Sequence, residues 1–478
     1  MNKCSFPRFR PKFAFFLSLV SKYDSFRLET LSLLPKLSLL LCLCLSAVTA
    51  PAATYYVTQN GGGNHDGASL ASSWSVGDFN GTGVPGGGDT VVFTGSFTST
   101  IAPASNGASN AARLTLDLTG ASLNSAWTRL QFNARAYLTV LGGALGGAYD
   151  GLLINFNPND GGTSHDITIS GFQYTGSANG IALFLSLNHV YNLVVANCYA
   201  DNVSSFVSGD STLNHDIDIS GNFAQTSTDV LAQDDLIHIG DAPNVTIEGN
   251  KLVGRAPANP SGRHNDIIQN YTKAGAFPGN PTNWVIRYNW IESQQVSGSG
   301  DCAWIMFQSM SGDPALKLYG NVFVGTGTVG DNGILVSRNN GGTYFLYNNT
   351  FVKHAKPENT VRFLDSGTLY ARNNVGQADT PGGSVFAGWA MGDGGWDYNF
   401  FYRTASPSEV TGPHGSLSTD PGFTNYAGAD FSFSPASPLW NKGDPSIGAE
   451  YAMAIAPGAT WPNPALVSRS TVWNPGAY

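Results

Sequence analysis

The sequence has little charge, few residues that favour helices, and almost no cysteine beyond its first 50 positions. Only 12% of the 478 residues are charged, whereas 57 are Gly. Asn, Ser and Thr are abundant, while the helix formers Glu and Lys are scarce. The shortage of helix formers argues against a helical protein, and the wealth of turn formers predicts an all-β chain with many turns.

Cysteine gives no indication of the cellular compartment. Cys4, Cys42 and Cys44 precede residue 50, which leaves Cys198 and Cys302 without the spacing of a zinc site. In the repeat described below, these two residues lie about four coils apart. That separation is roughly 19 Å at ~4.8 Å per strand, too far for a disulfide.

Positive charge is also scarce. The 115 residues from Ala136 to Asn250 contain no Lys or Arg. The first 52 residues hold 7 of the 24 basic and 2 of the 33 acidic residues, so the remainder carries a net charge of −14. A chain this acidic is a poor partner for nucleic acid or anionic membranes, and binding an anionic substrate requires local cations or a metal.

The N-terminal region lacks an apolar run long enough to span a bilayer. Basic residues end at Lys36, and a 12-residue apolar run, Leu37 to Val48, is followed by "TAPAA". These are the features of a secretory signal, with cleavage expected after Ala52. We therefore predict a leader over residues 1–52, a secreted product (extracellular or periplasmic), and no membrane attachment after signal removal.

The strongest pattern is a repeat with an asparagine at a corresponding place in each unit. The spacings between these asparagines are 25, 28, 39, 32, 28, 25 and 25 residues, and apolar residues alternate around most of them. A period of this size with β alternation predicts a parallel β-helix in which each repeat is one coil. The side-chain amides could bond from coil to coil as a ladder comprising Asn197, Asn222, Asn250, Asn289, Asn321, Asn349, Asn374 and Asn399.

The chain resembles the secreted right-handed parallel β-helix proteins of the pectate-lyase-like superfold over roughly residues 54 to 450. The resemblance is carried by "YYVTQNGGGNHDG", "PGGGDTVVF", the asparagine repeat and the closing "DPGFTNYAGADFSFSPASPLWNKGDPSIGAE". It implies a single solenoid over 53–451, a C-terminal tail over 452–478, and three strands per coil with the ladder between the second and third. It also implies that a polysaccharide lies along the sheet of first strands.

The segments "LIHIG", "IIQNY", "WIMFQ", "ILVSR" and "VRFLD" are then successive first strands. Alternation directs one set of side chains into the core: Ile237, Ile239, Ile268, Ile305, Phe307, Ile334, Val336, Val361 and Phe363. It directs two columns outward: His238, Gln269, Met306, Leu335 and Arg362 in one, and Tyr271, Gln308 and Ser337 in the other.

The same register stacks Asp235 over Asp266. Two close carboxylates cannot both ionise cheaply, so one pKa rises or a cation lies between them. With Asp234 they could form a Ca²⁺ site, they could cap turns with their own backbone, or they could act as an acid–base pair. The residues leave these alternatives open.

The stretch "SGRHNDIIQNYTK", residues 261 to 273, gathers cations beside these acids. Cleaving a uronate polymer by β-elimination requires neutralisation of the carboxylate, a base for the C5 proton, and an acid for the leaving oxygen. Arg263 and Gln269 could hold the carboxylate, His264 or Lys273 could be the base, and Tyr271 could be the acid. Lyases of this fold commonly use Lys or Arg as base, which adds Lys251.

Further residues are expected to bind substrate along the groove. His238, Gln308 and Arg362 face outward on the first strands, and Arg287 belongs to the cluster of cations between Lys251 and Arg287. Trp304 could stack on a sugar ring or could equally cover the core. These features favour a lyase acting on an acidic polysaccharide such as alginate or pectate, as a monomer, with Ca²⁺ as a conceivable cofactor.

Two other classes compete with the lyase. "AQDDLIHIG" resembles the acidic motif of β-helical polygalacturonases, inverting hydrolases whose two carboxyls flank a water at ~6.5–9.5 Å. Asp234, Asp235 and Asp266 would then be the acids. The third class is a non-catalytic glycan-binding β-helix, which should spread cations and aromatics over many coils.

Overall fold

The structure of the chain is a computed structural model in which stacked parallel strands are the dominant secondary structure of the described residues. It describes the following residues: 51–123, 129–143, 151–156, 162–176, 182–227, 235–256, 266–270, 281–295, 303–308, 310, 312–326, 333–354, 361–379, 386–389, 392–403, 410–469 and 472–478. Among them the only α-helix is α1 (Val76–Gly81), and single 3₁₀ turns lie at Leu70–Ser72, Pro445–Ile447 and Ala449–Tyr451. The predicted all-β parallel β-helix is confirmed.

The strands are numbered in chain order. They are β1 (Thr54–Val57), β2 (Thr90–Phe97), β3 (Leu114–Leu123), β4 (Leu130–Phe132), β5 (Ala136–Leu141), β6 (Gly151–Phe156), β7 (Ser164–Ser170), β8 (Gln173–Thr175), β9 (Ala182–Ser186), β10 (Val190–Ala196), β11 (Tyr199–Val203), β12 (Ser205–Gly209), β13 (His215–Ser220), β14 (Phe223–Thr226), β15 (Ile237–Ile239), β16 (Val245–Glu248), β17 (Lys251–Ala256), β18 (Ile268–Asn270), β19 (Trp284–Arg287), β20 (Trp290–Gln295), β21 (Ile305–Phe307), β22 (Leu316–Tyr319), β23 (Val322–Gly325), β24 (Ile334–Tyr347), β25 (Thr350–His354), β26 (Val361–Arg372), β27 (Val375–Ala378), β28 (Phe386–Trp389), β29 (Gly392–Asp397), β30 (Phe400–Tyr402), β31 (Phe423–Asn425), β32 (Asp430–Phe433), β33 (Met453–Ile455) and β34 (Leu466–Ser468).

The strands form three parallel stacks, and each coil from β9 to β27 contributes one strand to each of them. Stack 1 runs β4, β6, β9, β12, β15, β18, β21, the first halves of β24 and β26, and β28. Stack 2 runs β1, β2, β3, β5, β7, β10, β13, β16, β19, β22, the second halves of β24 and β26, and β29. Stack 3 runs β8, β11, β14, β17, β20, β23, β25, β27 and β30.

The asparagine ladder lies in the turn between stacks 2 and 3. Each ladder amide donates to the side-chain oxygen of the next, as between Asn250 and Asn289 (3.0 Å) and between Asn289 and Asn321 (3.0 Å). The same oxygens accept from backbone N–H groups, so these fully buried amides satisfy one another and the turn. The ladder comprises Asn222, Asn250, Asn289, Asn321, Asn349, Asn374 and Asn399.

The prediction of Asn197 as the first member of the ladder is wrong by one residue. Tyr199 pairs with Phe223, which places Cys198 in register with Asn222, and the Cys198 N–H donates to the Asn222 Oδ1 (2.8 Å). Asn197 instead has a left-handed backbone with φ +55°. It belongs to the column that precedes each ladder position: Gly221, Gly249, Tyr288, Gly320, Asn348, Asn373 and Tyr398, all with positive φ. The column favours Gly and Asn because these residues adopt that conformation most easily.

Both ends of the described solenoid carry added structure. At the N-terminal end, Ser75 and Asp78 cap α1 reciprocally, and Phe79 packs edge-on against Phe93 at 5.1 Å. No described helix reaches the length and apolar character needed to cross a bilayer. The contact of Phe79 with Phe93 of β2 shows that α1 covers apolar residues at this end of the solenoid.

The C-terminal segment runs back along the turns between stacks 2 and 3. Asn463 donates to the Asn197 Oδ1 (2.8 Å), and Tyr451 packs edge-on against Tyr319 and Tyr347, each at 4.8 Å. The buried Arg469 guanidinium donates to four carbonyls, those of Met453, Asn474, Gly476 and Tyr478. The tail is thus held in place by buried hydrogen bonds.

We predict that Asn289→Ala lowers the free energy of unfolding by roughly 3 kcal/mol, because it leaves buried donors of Asn250 and the Ile247 carbonyl without partners. Equilibrium denaturation measures the change. Asn64→Ala is the control, since its amide lies on the exposed surface, and it should change the value by less than about 0.5 kcal/mol. Equal effects of the two variants would contradict the structural role of the ladder.

Docking of the tail predicts alkaline instability. Burial raises the pKa of the Tyr347 phenol to about 12. In the unfolded chain the pKa of a Tyr is about 10. The stabilisation from burying the neutral phenol is therefore complete below pH 10. It is lost as the pH rises toward 12, which lowers the free energy of unfolding by ~2–3 kcal/mol in total. Melting temperature between pH 9 and 11.5 should fall more steeply for the wild type than for Tyr347→Phe. Parallel curves would show that this phenol is not buried.

Candidate functional site

The outward positions of stack 1 align in one continuous column, with one residue per coil. The pairs His238–Gln269, Gln269–Met306, Met306–Leu335 and Leu335–Arg362 are all Cα partners. The predicted column is therefore confirmed in register. It continues toward the N-terminus through Ser208, Ser186, Asn155 and Gln131.

The predicted inward residues of stack 1 are buried. They are Ile237, Ile239, Ile268, Ile305, Phe307, Ile334, Val336 and Val361. Asn270 joins them as a fully buried residue in the column of Ile239 and Phe307, and its amide donates to the Ile239 carbonyl (3.0 Å). The Phe363 side chain lies outside the described residues. The alternation thus fixes which side chains reach the surface.

Asp235 and Asp266 act as caps between coils. The Asp266 N–H donates to the Asp235 Oδ1 (2.9 Å), and the Ala303 N–H donates to the Asp266 Oδ1 (3.0 Å). Both residues are buried, and the Gln269 amide donates to the second oxygen of Asp266 (3.3 Å). The described contacts are backbone capping, but each carboxylate caps the next coil rather than its own turn as expected.

The predicted calcium site is only partly within the described residues. A Ca²⁺ ion needs six to eight oxygen ligands, and one oxygen of each of Asp235 and Asp266 accepts from a backbone N–H. Within the described ranges, no three His, Cys, Asp or Glu side chains are grouped closely enough to hold a metal. Asp234 lies outside those ranges, so a calcium requirement remains a prediction that a chelator would test.

His238 has an acidic partner that the sequence did not reveal. Its Nε2 lies 3.2 Å from the Asp210 Oδ1, with the two side chains 17% and 47% exposed. Asp210 follows β12 directly, one coil before His238 and two residues beyond Ser208 in the outward column. The sequence signal that could have revealed this pair is an acidic residue just after an outward-facing strand position.

Polar groups on either side complete the described part of this face. Gln269 is 5% exposed and Gln308 is half-buried. Arg362 stands three coils from Gln269, and its Nε is buried without a hydrogen-bond partner among the described residues. A buried guanidinium donor that lacks an acceptor is suited to an incoming anionic oxygen.

Three predicted site residues do not belong to this face. Trp304 is buried in the core, where its indole donates to the Val324 carbonyl (3.2 Å), so its expected stacking on sugar is wrong. Lys251 begins β17 in stack 3, and its ammonium lies 5.8 Å from the Trp290 ring. Arg287 ends β19 in stack 2.

Arg287 is engaged in interactions of its own. Its guanidinium pairs with Glu248 (2.7 Å) and donates to the Tyr319 hydroxyl (2.9 Å). Burial opposes its charge, but these partners raise its pKa above the ordinary value. The cluster of cations read along the sequence is therefore divided among different stacks.

The remaining predicted residues lie outside the described part of the chain. They are Arg263, His264, Tyr271 and Lys273, together with Asp234. Their proposed roles stay predictions. In the sequence, Arg263 and His264 precede β18, and Tyr271 and Lys273 follow it. This strand carries Gln269 in the outward column, and Asp266 lies just before it.

Comparison with known proteins finds distant likenesses among solved structures. No family model matches this sequence, and no curated protein matches it. A GH136 lacto-N-biosidase from Eubacterium ramulus aligns over 76% of this chain and 67% of its own, at 12% identity and a TM-score of 0.41. The pectate lyase Pel9A aligns over 90% and 96%, at 16% identity and a TM-score of 0.41.

A mannuronic acid specific polysaccharide family 6 lyase from human gut microbiota aligns over 77% of this chain and 83% of its own, at 13% identity and a TM-score of 0.36. At these identities and TM-scores, no residue role passes from any of these proteins to this chain. The parallel β-helix described above rests on the strand pairings of the chain itself.

The capping role of Asp266 can be separated from a metal or acid–base role. Asp266→Asn keeps an oxygen that accepts from the Ala303 N–H, so we predict stability and activity close to the wild type. Asp266→Ala removes that acceptor and should cost about 1–2 kcal/mol in the free energy of unfolding. Loss of activity in Asp266→Asn with an unchanged melting temperature would show instead that the carboxylate charge is required.

Proposed function

We propose that this chain is an exported lyase that cleaves an acidic, uronate-containing polysaccharide, such as alginate or pectate, along the face of stack 1. The observation that carries the proposal is the outward column from His238 through Gln269 to Arg362, which aligns an imidazole, an amide and a guanidinium. Its polar members extend over several further coils. A linear polymer lying along the solenoid axis would meet one of these positions per coil.

The spacing of the column suits a sugar chain. Successive positions are separated by the strand spacing of ~4.8 Å, which is similar to the rise of one sugar in a linear β-linked glycan. A continuous row can therefore contact successive sugars in the same way. The export part of the proposal rests on the leader predicted over residues 1–52.

The charge distribution favours an acidic ligand at one end of the column. The chain as a whole is acidic, so a uronate polymer requires a local cation. Arg362 provides one on stack 1, with a buried Nε that no described group accepts from. Two parallel N–H···O bonds from such a guanidinium would orient a uronate carboxylate.

The chemistry we propose is β-elimination. A base takes the C5 proton, the released electron pair forms the C4–C5 double bond, the C4–O bond breaks, and an acid protonates the departing oxygen. Lys273 or His264 is proposed as the base and Tyr271 as the acid, with Arg263 and Gln269 binding the carboxylate. Neutralising that carboxylate is essential because it makes the C5 proton acidic.

The hydrolase alternative finds less support. An inverting hydrolase needs two carboxyls that both reach the substrate and a water. Asp235 and Asp266 are buried, and each has an oxygen occupied by a backbone N–H. They are therefore poor candidates for the two acids.

Incubation with alginate, pectate and neutral glycans, with and without chelator, tests the reaction. A lyase releases an unsaturated product that absorbs in the ultraviolet, and we expect this signal with an acidic polymer. New reducing ends without absorbance would identify a hydrolase, and binding without any product would identify a non-catalytic protein. Single Lys273→Ala, His264→Ala and Tyr271→Phe variants assign the roles, and unchanged rates in all three would remove the proposed machinery.

We predict that Arg362→Gln raises KM for the acidic polymer about 10-fold, because a charged hydrogen bond contributes ~1.5–3 kcal/mol, while kcat changes little. Steady-state kinetics measures both parameters. Arg403→Gln is the matched control, since Arg403 is exposed, does not lie on stack 1, and contacts the Asp379 carbonyl (3.4 Å) and the Tyr402 ring (5.3 Å). Equal KM values for Arg362→Gln and the control would place the carboxylate elsewhere.

A further inference from the structure

A second groove lies on the face of stack 2, away from the outward column of stack 1. It is open to solvent, has a volume of about 380 Å³, and crosses strands β10, β13, β16 and β19. Its floor is the outward row Val194, Asp218, Thr246 and Val285, whose members are successive Cα partners. Along the solenoid axis the floor therefore has two polar residues, Asp218 and Thr246, between two valines.

One wall of this groove is a polar row whose members bond to one another in two groups. The Asn283 amide donates to the Asn244 Oδ1 (2.9 Å), and the Asn244 amide donates to the Asp216 Oδ1 (2.9 Å). Asn192 and Asp166 extend the row by a weaker contact of 3.3 Å. All five residues have a positive φ, which turns the chain at the same point in each coil.

The rim beside this wall is rigid before any ligand binds. His165, Tyr191 and His215 stack face to face, at 4.9 and 4.7 Å between ring centroids. The two histidines bond through Nδ1 to Asp166 and Asp216, the acids that follow them. Such a preorganised row loses little conformational entropy when it binds a ligand.

Asp218 on the floor has capacity to accept hydrogen bonds. Its Oδ1 is buried and has no hydrogen-bond partner among the described residues. Burial raises the pKa of this carboxyl, a hydrogen bond with Ser220 lowers it, the nearby Glu248 raises it and Arg287 lowers it. The side chain as a whole is half-buried on the floor of the groove, so a rotation of the carboxylate would bring this acceptor to a ligand hydroxyl.

The charges of the groove decide which ligand class fits. Asp166, Asp216 and Asp218 are acidic, and Arg113 is the one cation among the lining residues. Its guanidinium is occupied by the carbonyls of Leu138 and Asp166 and by the Asn110 Oδ1. A uronate would therefore be repelled, and no described group of acids is arranged to hold a metal. Carboxylates and amides in a row instead suit paired hydroxyl groups.

We propose that this groove binds a neutral, hydroxyl-rich glycan. Asp218 accepts from a pair of vicinal hydroxyls, the exposed amide oxygen of Asn283 accepts from another, and Val194 and Val285 contact the apolar faces of the sugars. The site is separate from the acidic-polymer face on stack 1 and does not depend on the proposed lyase activity. It would hold a neutral section of the polymer, or a neutral glycan that accompanies the polymer, beside the enzyme.

Calorimetric titration with neutral hexasaccharides of glucose, mannose and xylose, and with hexamers of mannuronate and galacturonate, tests this site. We expect a neutral hexasaccharide to bind and Asp218→Ala to weaken that binding about 10-fold, the effect of losing hydrogen bonds to a charged acceptor. Val285→Trp fills the groove without touching its polar wall and should abolish the binding. Melting curves verify that both variants are folded.

Asp117→Ala is the matched control, because Asp117 also faces outward on stack 2 but does not line the groove. It lies four coils before Ser220, which is two residues beyond Asp218 on the same strand. Binding by this control variant should equal that of the wild type. The proposal is overturned if no neutral hexasaccharide binds, if uronate hexamers compete for the same site with equal affinity, or if Asp218→Ala and Val285→Trp both bind like the control.

Discussion

The fold depends on the stacking of equivalent residues at one strand spacing. A parallel coil has no partner within itself, so every backbone group and every buried amide must be satisfied by the coil before or after it. The asparagine ladder does this at the turn between stacks 2 and 3, and the left-handed residue before each rung sets the geometry of that turn. Asp235 and Asp266 do the same just before stack 1, where each carboxylate accepts from a backbone N–H of the next coil.

The same constraint produces faces of different chemistry. Because each coil passes through three stacks, residues that are neighbours in sequence separate, whereas residues one coil apart align. Stack 1 thereby gains a polar row that leads to Arg362, and stack 2 gains a groove in which carboxylates and amides dominate. The C-terminal segment covers part of the remaining surface and is held by the carbonyl contacts of Arg469.

Alternation and repeat spacing were enough to predict the architecture and the column from His238 to Arg362, because both follow from period two and from coil length. Sequence proximity was misleading for Lys251 and Arg287, which fall on stacks 3 and 2. Asn197 was misplaced because an Asn suits both a ladder rung and the left-handed position before it. Trp304 could not be assigned from pattern alone, since the chain turns inward just before the strand and buries two successive apolar residues. The stack 2 groove went unrecognised because its lining residues are spread from residue 113 to residue 285 of the sequence.

Disulfide formation between engineered cysteines tests the stacking register most directly. In a chain whose native Cys198 and Cys302 are replaced by Ser, Gln269→Cys with Met306→Cys places two thiols on Cα partners of adjacent strands, within reach of a disulfide. The account predicts that this pair cross-links on mild oxidation, while Gln269→Cys with Phe307→Cys, which faces the core, does not. Cross-linking of the second pair instead of the first would show a register shifted by one residue and would remove the aligned column on which the proposed function depends.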